Sequence, residues 1–288
     1  MTTHKILYYT WAENTFQDCT KAMLSLGFTV DVISGRIKNY DIDEIFMEQL
    51  KKYCTAQPYD CIFTFNYFPV ISRVAADCRI RYISWIFDSP HFTLDSVTLS
   101  NDCNRVFLFD YLLYEKYRKK GIRTVYHMPL AYHKPRLENF VQSMQLQYEH
   151  EVTFLGTLYD DAYDFFNQIN YLPPYLDGYI HAVMDAQQMI YGFDLCDSLF
   201  GHEKCQEMAK YVKVDLGDQY IDYQDDLFRN MIRKKITVME RRKVLDLIGQ
   251  TYQVDLYAPK EPVSLPVNYK GYAGYIYQMP KIFYTSKI

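Results

Sequence analysis

Four consecutive residues, Asp88-Ser89-Pro90-His91, put a carboxylate, a hydroxyl, a rigid turn residue and an imidazole directly after an apolar run, Tyr82 to Phe87. Groups at the carboxyl end of a strand sit where open α/β sheets bind their ligands. In that setting His91 is a candidate general base for an acceptor hydroxyl, with Asp88 orienting it or binding a sugar hydroxyl. The competing reading is structural: Asp88 caps the following turn, Pro90 fixes the backbone and His91 packs. Ser89 and Asp110, which ends the next apolar run, complete the same wall as candidate substrate contacts.

The first strand-to-helix turn, Thr10-Trp11-Ala12-Glu13-Asn14-Thr15, offers Trp11, Glu13 and Asn14 as further cleft-lining candidates, with Asn14 or Thr15 as a helix cap being the plainer alternative. It contains no glycine, so the G-x-G-x-x-G fingerprint of dinucleotide folds is missing and no backbone approach to a pyrophosphate is provided there. A phosphate-binding P-loop is missing as well. Further along, Gly156-Thr157 follows a strand, where a glycine allows backbone N–H groups to approach a diphosphate at a helix start or simply serves a turn. Basic clusters at Lys116–Arg123, Arg233–Lys235 and Arg241–Lys243 read as solvated helix faces, with Arg241 the residue to watch for bidentate phosphate binding. His127 and His133 are wrongly spaced for two ligands on one helical face, so no metal site is expected.

The elements that must position these groups alternate regularly. Strands are predicted at His4–Thr10, Phe28–Ile33, Tyr59–Phe65, Ile80–Phe87, Arg105–Phe109 and Thr124–His127, and helices at Thr15–Leu26, Asp43–Cys54, Val70–Asp77 and Tyr111–Lys119. Near-continuous apolar strands suit a parallel sheet covered on both faces. The expectation is an α/β, doubly wound, Rossmann-like domain over residues 1–133. A polar, helix-prone linker follows over 134–150. A second α/β domain then opens at Glu151–Tyr159, with a helical segment over about 160–250, short strands at Gln253–Tyr257 and Tyr269–Tyr272, a helix at Ile276–Tyr284, and a strand starting at Ser286-Lys287-Ile288. That second domain is expected to be cut short.

Composition narrows the classes. The chain has 288 residues, 49% hydrophobic and 23% charged, with a net charge of −4, which fits a globular protein without the basic footprint of a nucleic-acid binder. Its seven cysteines are odd in number and form no C-x-x-C pair, pointing to reduced thiols and a cytoplasmic setting. No run approaches the roughly 18 apolar residues of a membrane helix.

The segments SWIFDSPHFTL, NDCNRVFLFDYLLYEKY, GIRTVYHMPLA and EVTFLGTLYDD, with the later ERRKVLDLIGQTYQVDLY and GYAGYIYQMPKIFYTSKI, resemble the bacterial spore-maturation CgeB-like family, whose N-terminal part is a domain of unknown function (DUF3880) ahead of a glycosyltransferase-like domain. The resemblance implies a GT-B architecture, two Rossmann-like domains facing a cleft. It implies transfer of a sugar from a nucleotide-sugar, a co-substrate rather than a resident cofactor, to an unidentified acceptor. By the same resemblance Asp88 and His91 face the acceptor, while Gly156 and Thr157 lie near the donor phosphates. The donor-binding half expected after Ile288 is absent from the chain, so the 288 residues alone are expected to be inactive. The alternatives are a non-catalytic Rossmann-like module that binds a saccharide or protein, and another α/β enzyme with a small-molecule ligand.

Overall fold

The computed structural model describes residues 4–89, 91–160, 165–213 and 224–288, and the chain divides near His133 into two units. Pro90 and parts of the 160–250 helical stretch, Gly217 among them, lie outside the described residues.

In the first unit the strands are β1 (Lys5–Thr10), β2 (Thr29–Ser34), β3 (Cys61–Phe65), β4 (Arg81–Ile86), β5 (Asn104–Leu108) and β6 (Val125–His127). They pair in parallel in the order β2-β1-β3-β4-β5-β6. Between them run α1 (Phe16–Ser25), α2 (Glu44–Ala56), α3 (Pro69–Cys78) and α4 (Tyr111–Lys119). This is a Rossmann-like doubly wound sheet. The chain leaves β1 in opposite directions to reach β2 and β3, so the crevice at the carboxyl ends of β1 and β3 is the topological switch point.

Local chemistry explains the element ends. Asp43 caps α2 by accepting from the Phe46 N–H at 3.1 Å, and Pro69 occupies the first turn of α3, where its missing N–H is harmless. Gly27 and Gly121 follow α1 and α4 with φ of +85° each, the left-handed closure that glycine adopts without strain.

Both faces of the sheet are buried. Leu7, Tyr9, Ile62, Tyr82 and Val106 meet Leu50 of α2, Val74 of α3 and Tyr117 of α4 on one side. Tyr8, Phe63 and Phe65 meet Phe16, Cys19 and Met23 of α1 on the other. Each such aliphatic burial contributes about 1.5–3 kcal/mol. An exposed pair such as Lys52–Glu48, at 2.9 Å with both side chains 72% exposed, contributes about 0–1 kcal/mol. The core decides the fold.

The second unit begins at Lys134. The stretch expected as a polar, helix-prone linker carries α5 (Lys134–Gln142), which packs on the later helix α10 (Gln278–Thr285) and donates from Arg136 to the Ile276 carbonyl at 2.8 Å. Strands β7 (Val152–Leu155), β8 (Val254–Tyr257) and β9 (Asn268–Gly271) form a parallel sheet in that order. The last residues extend along the other edge of β7: Lys287 donates to the His150 carbonyl, Ile288 to Glu151 and Thr153 to Ile288. The resulting order, third-second-first-fourth, is that of half a dinucleotide-binding sheet. The long helix α9 (Gln224–Gly249) leads into β8 and carries α6 (Pro174–Gln187), α7 (Leu195–Leu199) and α8 (His202–Ala209) against its flank.

Gly249 ends α9 against Pro266, and a β-carbon there would lie 2.3 Å from the Pro266 carbonyl oxygen. Gly249→Ala is expected to lower stability by about 1–3 kcal/mol, as overpacking against fixed backbone does. The urea midpoint measures it, and an unchanged midpoint would show that the 265–267 segment yields freely.

Candidate functional site

The carboxyl ends of β1, β3, β4 and β5 converge on one crevice of the first unit. Its geometry starts at Asn66, the residue after β3, which sequence reasoning passed over. Asn66 is buried and left-handed, with φ of +60°. Its carbonyl accepts from Thr64 Oγ1 at 2.6 Å and Ser84 Oγ at 2.9 Å. Its side-chain oxygen accepts from the backbone of Phe87 and Asp88 at 3.3 and 3.4 Å, and its Nδ2 donates to Asp88 Oδ2 at 2.6 Å. Asn tolerates this backbone region better than other residues that carry a β-carbon. One amide therefore fixes how the chain leaves β4.

Asp88 is exposed, and its Oδ1 accepts no bond among the described residues. The indole of Trp11, 40% exposed, stacks on the ring of Phe87, the residue before Asp88, at 5.9 Å and 13° and donates from Nε1 to the Phe65 carbonyl at 3.2 Å. A fixed aromatic plane and an open carboxylate at the same sheet edge are chemistry suited to a polyhydroxylated ring, whose C–H face stacks while its hydroxyls hydrogen-bond.

Two other predicted residues, Glu13 and Asp110, hold this wall. Glu13 is buried at 5% exposure, and its carboxylate accepts from Tyr8 Oη at 2.5 Å, Thr10 Oγ1 at 2.9 Å and the Trp11 N–H at 3.1 Å. Burial, with Glu13 adding to it, pushes the Tyr8 phenol far above its usual value, so it remains a donor to Glu13. Expected as a substrate contact, Glu13 instead braces the Trp11 turn from inside, because both its oxygens are already engaged. Asp110 caps α4, its Oδ1 accepting from Leu112 and Leu113 at 2.9 and 3.1 Å, while its Oδ2 accepts from Ser89 Oγ at 3.2 Å. Asn14 is exposed on the turn before α1, and Thr15 at the cap position makes no side-chain cap bond.

His91 is half-buried, with Nε2 lying 3.2 Å from the Tyr67 backbone nitrogen and 3.3 Å from its carbonyl oxygen. Burial lowers its pKa from the usual 6.5, against the opposing pull of Asp88. The neutral ring accepts from the Tyr67 N–H and ties the β4 exit to the β3 exit. The nitrogen that would take a proton from a substrate is thus spent on the backbone. His127 and His133 stand apart, the first beside the Phe109 carbonyl and the second 3.4 Å from Asp18. No group of three metal-ligating side chains occurs among the described residues.

In the second unit the structure brings Gly156, Thr157 and Arg241 together at the carboxyl end of β7. Arg241 reaches from α9 to donate to the Thr157 carbonyl, its guanidinium 4.6 Å from the centre of the Tyr159 ring and 5.7 Å from that of Phe154. Arg242 pairs with Asp160 at 2.9 Å. The Gly156 N–H already donates to the Tyr257 carbonyl at 2.9 Å, so it continues the sheet and is not free for a phosphate. Arg233 is bound by Asp194 and Asp197.

No protein-family model matches the chain, and no curated protein matches it either. A solved structure of D-2-hydroxyisocaproate dehydrogenase aligns with 93% of the chain at 11% identity and a TM-score of 0.24, and the chain spans 57% of that structure's length. A likeness at that TM-score carries no argument here; the Rossmann-like assignment rests on the parallel strand order. No described helix is long and apolar enough to cross a membrane.

Asn66→Ala is expected to be less stable than Asn66→Gly by about 0.5–1 kcal/mol, since both lose the amide but only alanine strains the left-handed backbone. Equal urea midpoints would mean that the backbone is not what selects asparagine. His91 predicts a pH dependence. The unfolded chain takes up its proton near pH 6.5 and the folded chain only lower, so His91 adds stability above about pH 6.5 that is lost as pH falls. Stability should therefore drop more steeply between pH 7 and 5 in the wild type than in His91→Gln. Parallel profiles would place no titration at this ring.

Proposed function

We propose that the chain is the acceptor-holding portion of a GT-B glycosyltransferase, which moves a sugar from a nucleotide-sugar to an acceptor hydroxyl. The observation that carries this reading is the stacked Trp11–Phe87 platform, followed directly in the chain by the open carboxylate of Asp88, at the switch point of a sheet whose first turn lacks phosphate-binding glycines. The acceptor ring lies on Trp11, with Ser89 and Asn14 within the same wall to meet its hydroxyls. Asp88 takes the proton of the attacking hydroxyl as its oxygen bonds to the anomeric carbon and the bond from that carbon to the diphosphate breaks. His91, Glu13 and Asp110 position that wall. In the second unit Arg241 and Arg242 offer guanidiniums at the carboxyl end of β7, where the donor diphosphate would be offset. The resemblance in sequence to the CgeB-like family supports the same assignment.

A second reading, a saccharide-binding module without catalysis, is favoured by one observation. The Gly156 N–H and an Arg241 nitrogen are both already engaged by backbone carbonyls.

The chain has two tryptophans, so Trp11 emission is separable from that of Trp85 by substitution. Titration with hexose and N-acetylhexosamine oligomers is expected to quench it. Trp11→Ala should weaken binding at least tenfold, about 1.4 kcal/mol or more, with little change in melting temperature. Full-length protein is expected to release a nucleoside diphosphate from a UDP-, GDP- or TDP-sugar, and Asp88→Asn to slow that release at least a hundredfold. Saccharide binding with no turnover of any nucleotide-sugar would favour the module; neither result would dismiss both readings.

A further inference from the structure

At the opposite end of the first sheet, the amino ends of β4 and β5 border a pocket of about 440 Å³ lined by Arg79, Arg81, Arg105, Asn101, Asp102 and Cys103 among others. Three guanidiniums there face a single carboxylate. Of the nearby carboxylates, Asp77 is engaged by Lys51 at 2.5 Å, while Asp60, held by the Lys5 N–H at 2.6 Å and by His4 at 3.2 Å, also interacts electrostatically with Arg81. The C-terminus of α3 adds roughly half a negative charge. Asp102, Asp60 and the helix end together amount to about 2.5 negative charges against three positive ones, so a small positive excess remains.

Arg79 closes α3 with φ of +55°, while its N–H bonds to the Ala76 carbonyl and that of Ile80 to Ala75. Such left-handed helix ends are where glycine is preferred, because a β-carbon is strained there. Gly27 and Gly121 fill the equivalent positions after α1 and α4. An arginine at this one place accepts strain that glycine would avoid, and strained backbone tends to be kept where a side chain serves a ligand. Arg105 Nη1 donates to the carbonyls of Asp102 and Asn104, which anchors it at the pocket wall. Arg79 and Arg81 make no side-chain hydrogen bond among the described residues.

We propose that this pocket binds a phosphorylated small molecule, its phosphate held by Arg79, Arg81 and Arg105. Guanidinium forks match phosphate oxygens in pairs, and the volume lies within the roughly 300–1,000 Å³ of small-molecule sites, too large for a lone inorganic ion. The site stands apart from the crevice, since it lies at the amino rather than the carboxyl ends of the strands, and it does not rest on the glycosyltransferase reading.

Calorimetric titration of the whole chain with inorganic pyrophosphate, at constant ionic strength, tests it. Binding is expected, and both Arg79→Gly and Arg81→Ala should weaken it at least tenfold. Arg79→Gly should hold or raise the melting temperature, which separates loss of binding from loss of fold. Absence of pyrophosphate binding, or equal affinity in both variants and the wild type, would overturn the proposal. Loss of binding in Arg241→Ala with the other two variants unaffected would place the anion in the second unit and overturn it equally.

Discussion

The crevice of the first unit depends on the hydrogen bonds of Asn66. Parallel strands end with backbone groups that have no neighbour to bond, and at a switch point two such ends lie side by side. The carbonyl of Asn66 is satisfied by hydroxyls from β3 and β4, and its side chain bonds the two residues that follow β4. The Phe65 carbonyl one residue earlier holds the Trp11 indole. Platform, carboxylate and strand ends are thereby fixed to the rigid sheet before any ligand arrives, and such preorganisation is what makes a binding wall effective.

The same economy runs through the interior. Asn104 at the start of β5 bonds the Tyr67 hydroxyl and the carbonyls of Thr98 and Leu99, while accepting from Ser72. In the second unit Asp255, 3% exposed, accepts from Asn268 at 2.7 Å and lies 2.6 Å from His150. Burial works against its charge, yet these partners hold its pKa below the ordinary carboxylate value. Buried polar groups of this kind add little net stability when satisfied but penalise any other arrangement heavily. They set strand ends and registers that apolar packing alone would leave loose.

Much of the fold was legible in the sequence because period and punctuation agreed. All six strands of the first sheet lie within a residue or two of the apolar runs, and Gly27 and Gly121 sit where their helices stop. The hydrogen-bonded run at Ser286–Ile288 matched as well. Strand order was not legible, since it depends on contacts between distant segments, and the switch point at β1 and β3 therefore escaped notice. Asn66 was hidden in FTFNYFP, where it follows the predicted strand as one polar residue in an otherwise apolar run. Glu13 and Asp110 were recognisable as acidic groups at strand ends. Their side chains turn inward or onto a helix start, which is a matter of three-dimensional direction that spacing does not encode. Residues 134–150 read as a connection because α5 is amphipathic and short, and only α10, far along the chain, gives it a partner.

Charge distribution along the first sheet sets what each end can hold. At the carboxyl ends the crevice presents Asp88 and Asp110 with Glu13 beneath, and among the described residues no arginine or lysine is bonded to any of the three. A diphosphate placed there would meet charge of its own sign. A neutral polyhydroxylated ring meets no such barrier and gains from both the indole face and the carboxylate oxygens. The guanidiniums lie at the amino ends instead, on Arg79, Arg81 and Arg105. The two ends of one sheet therefore present opposite charge, carboxylates at the carboxyl ends and guanidiniums at the amino ends.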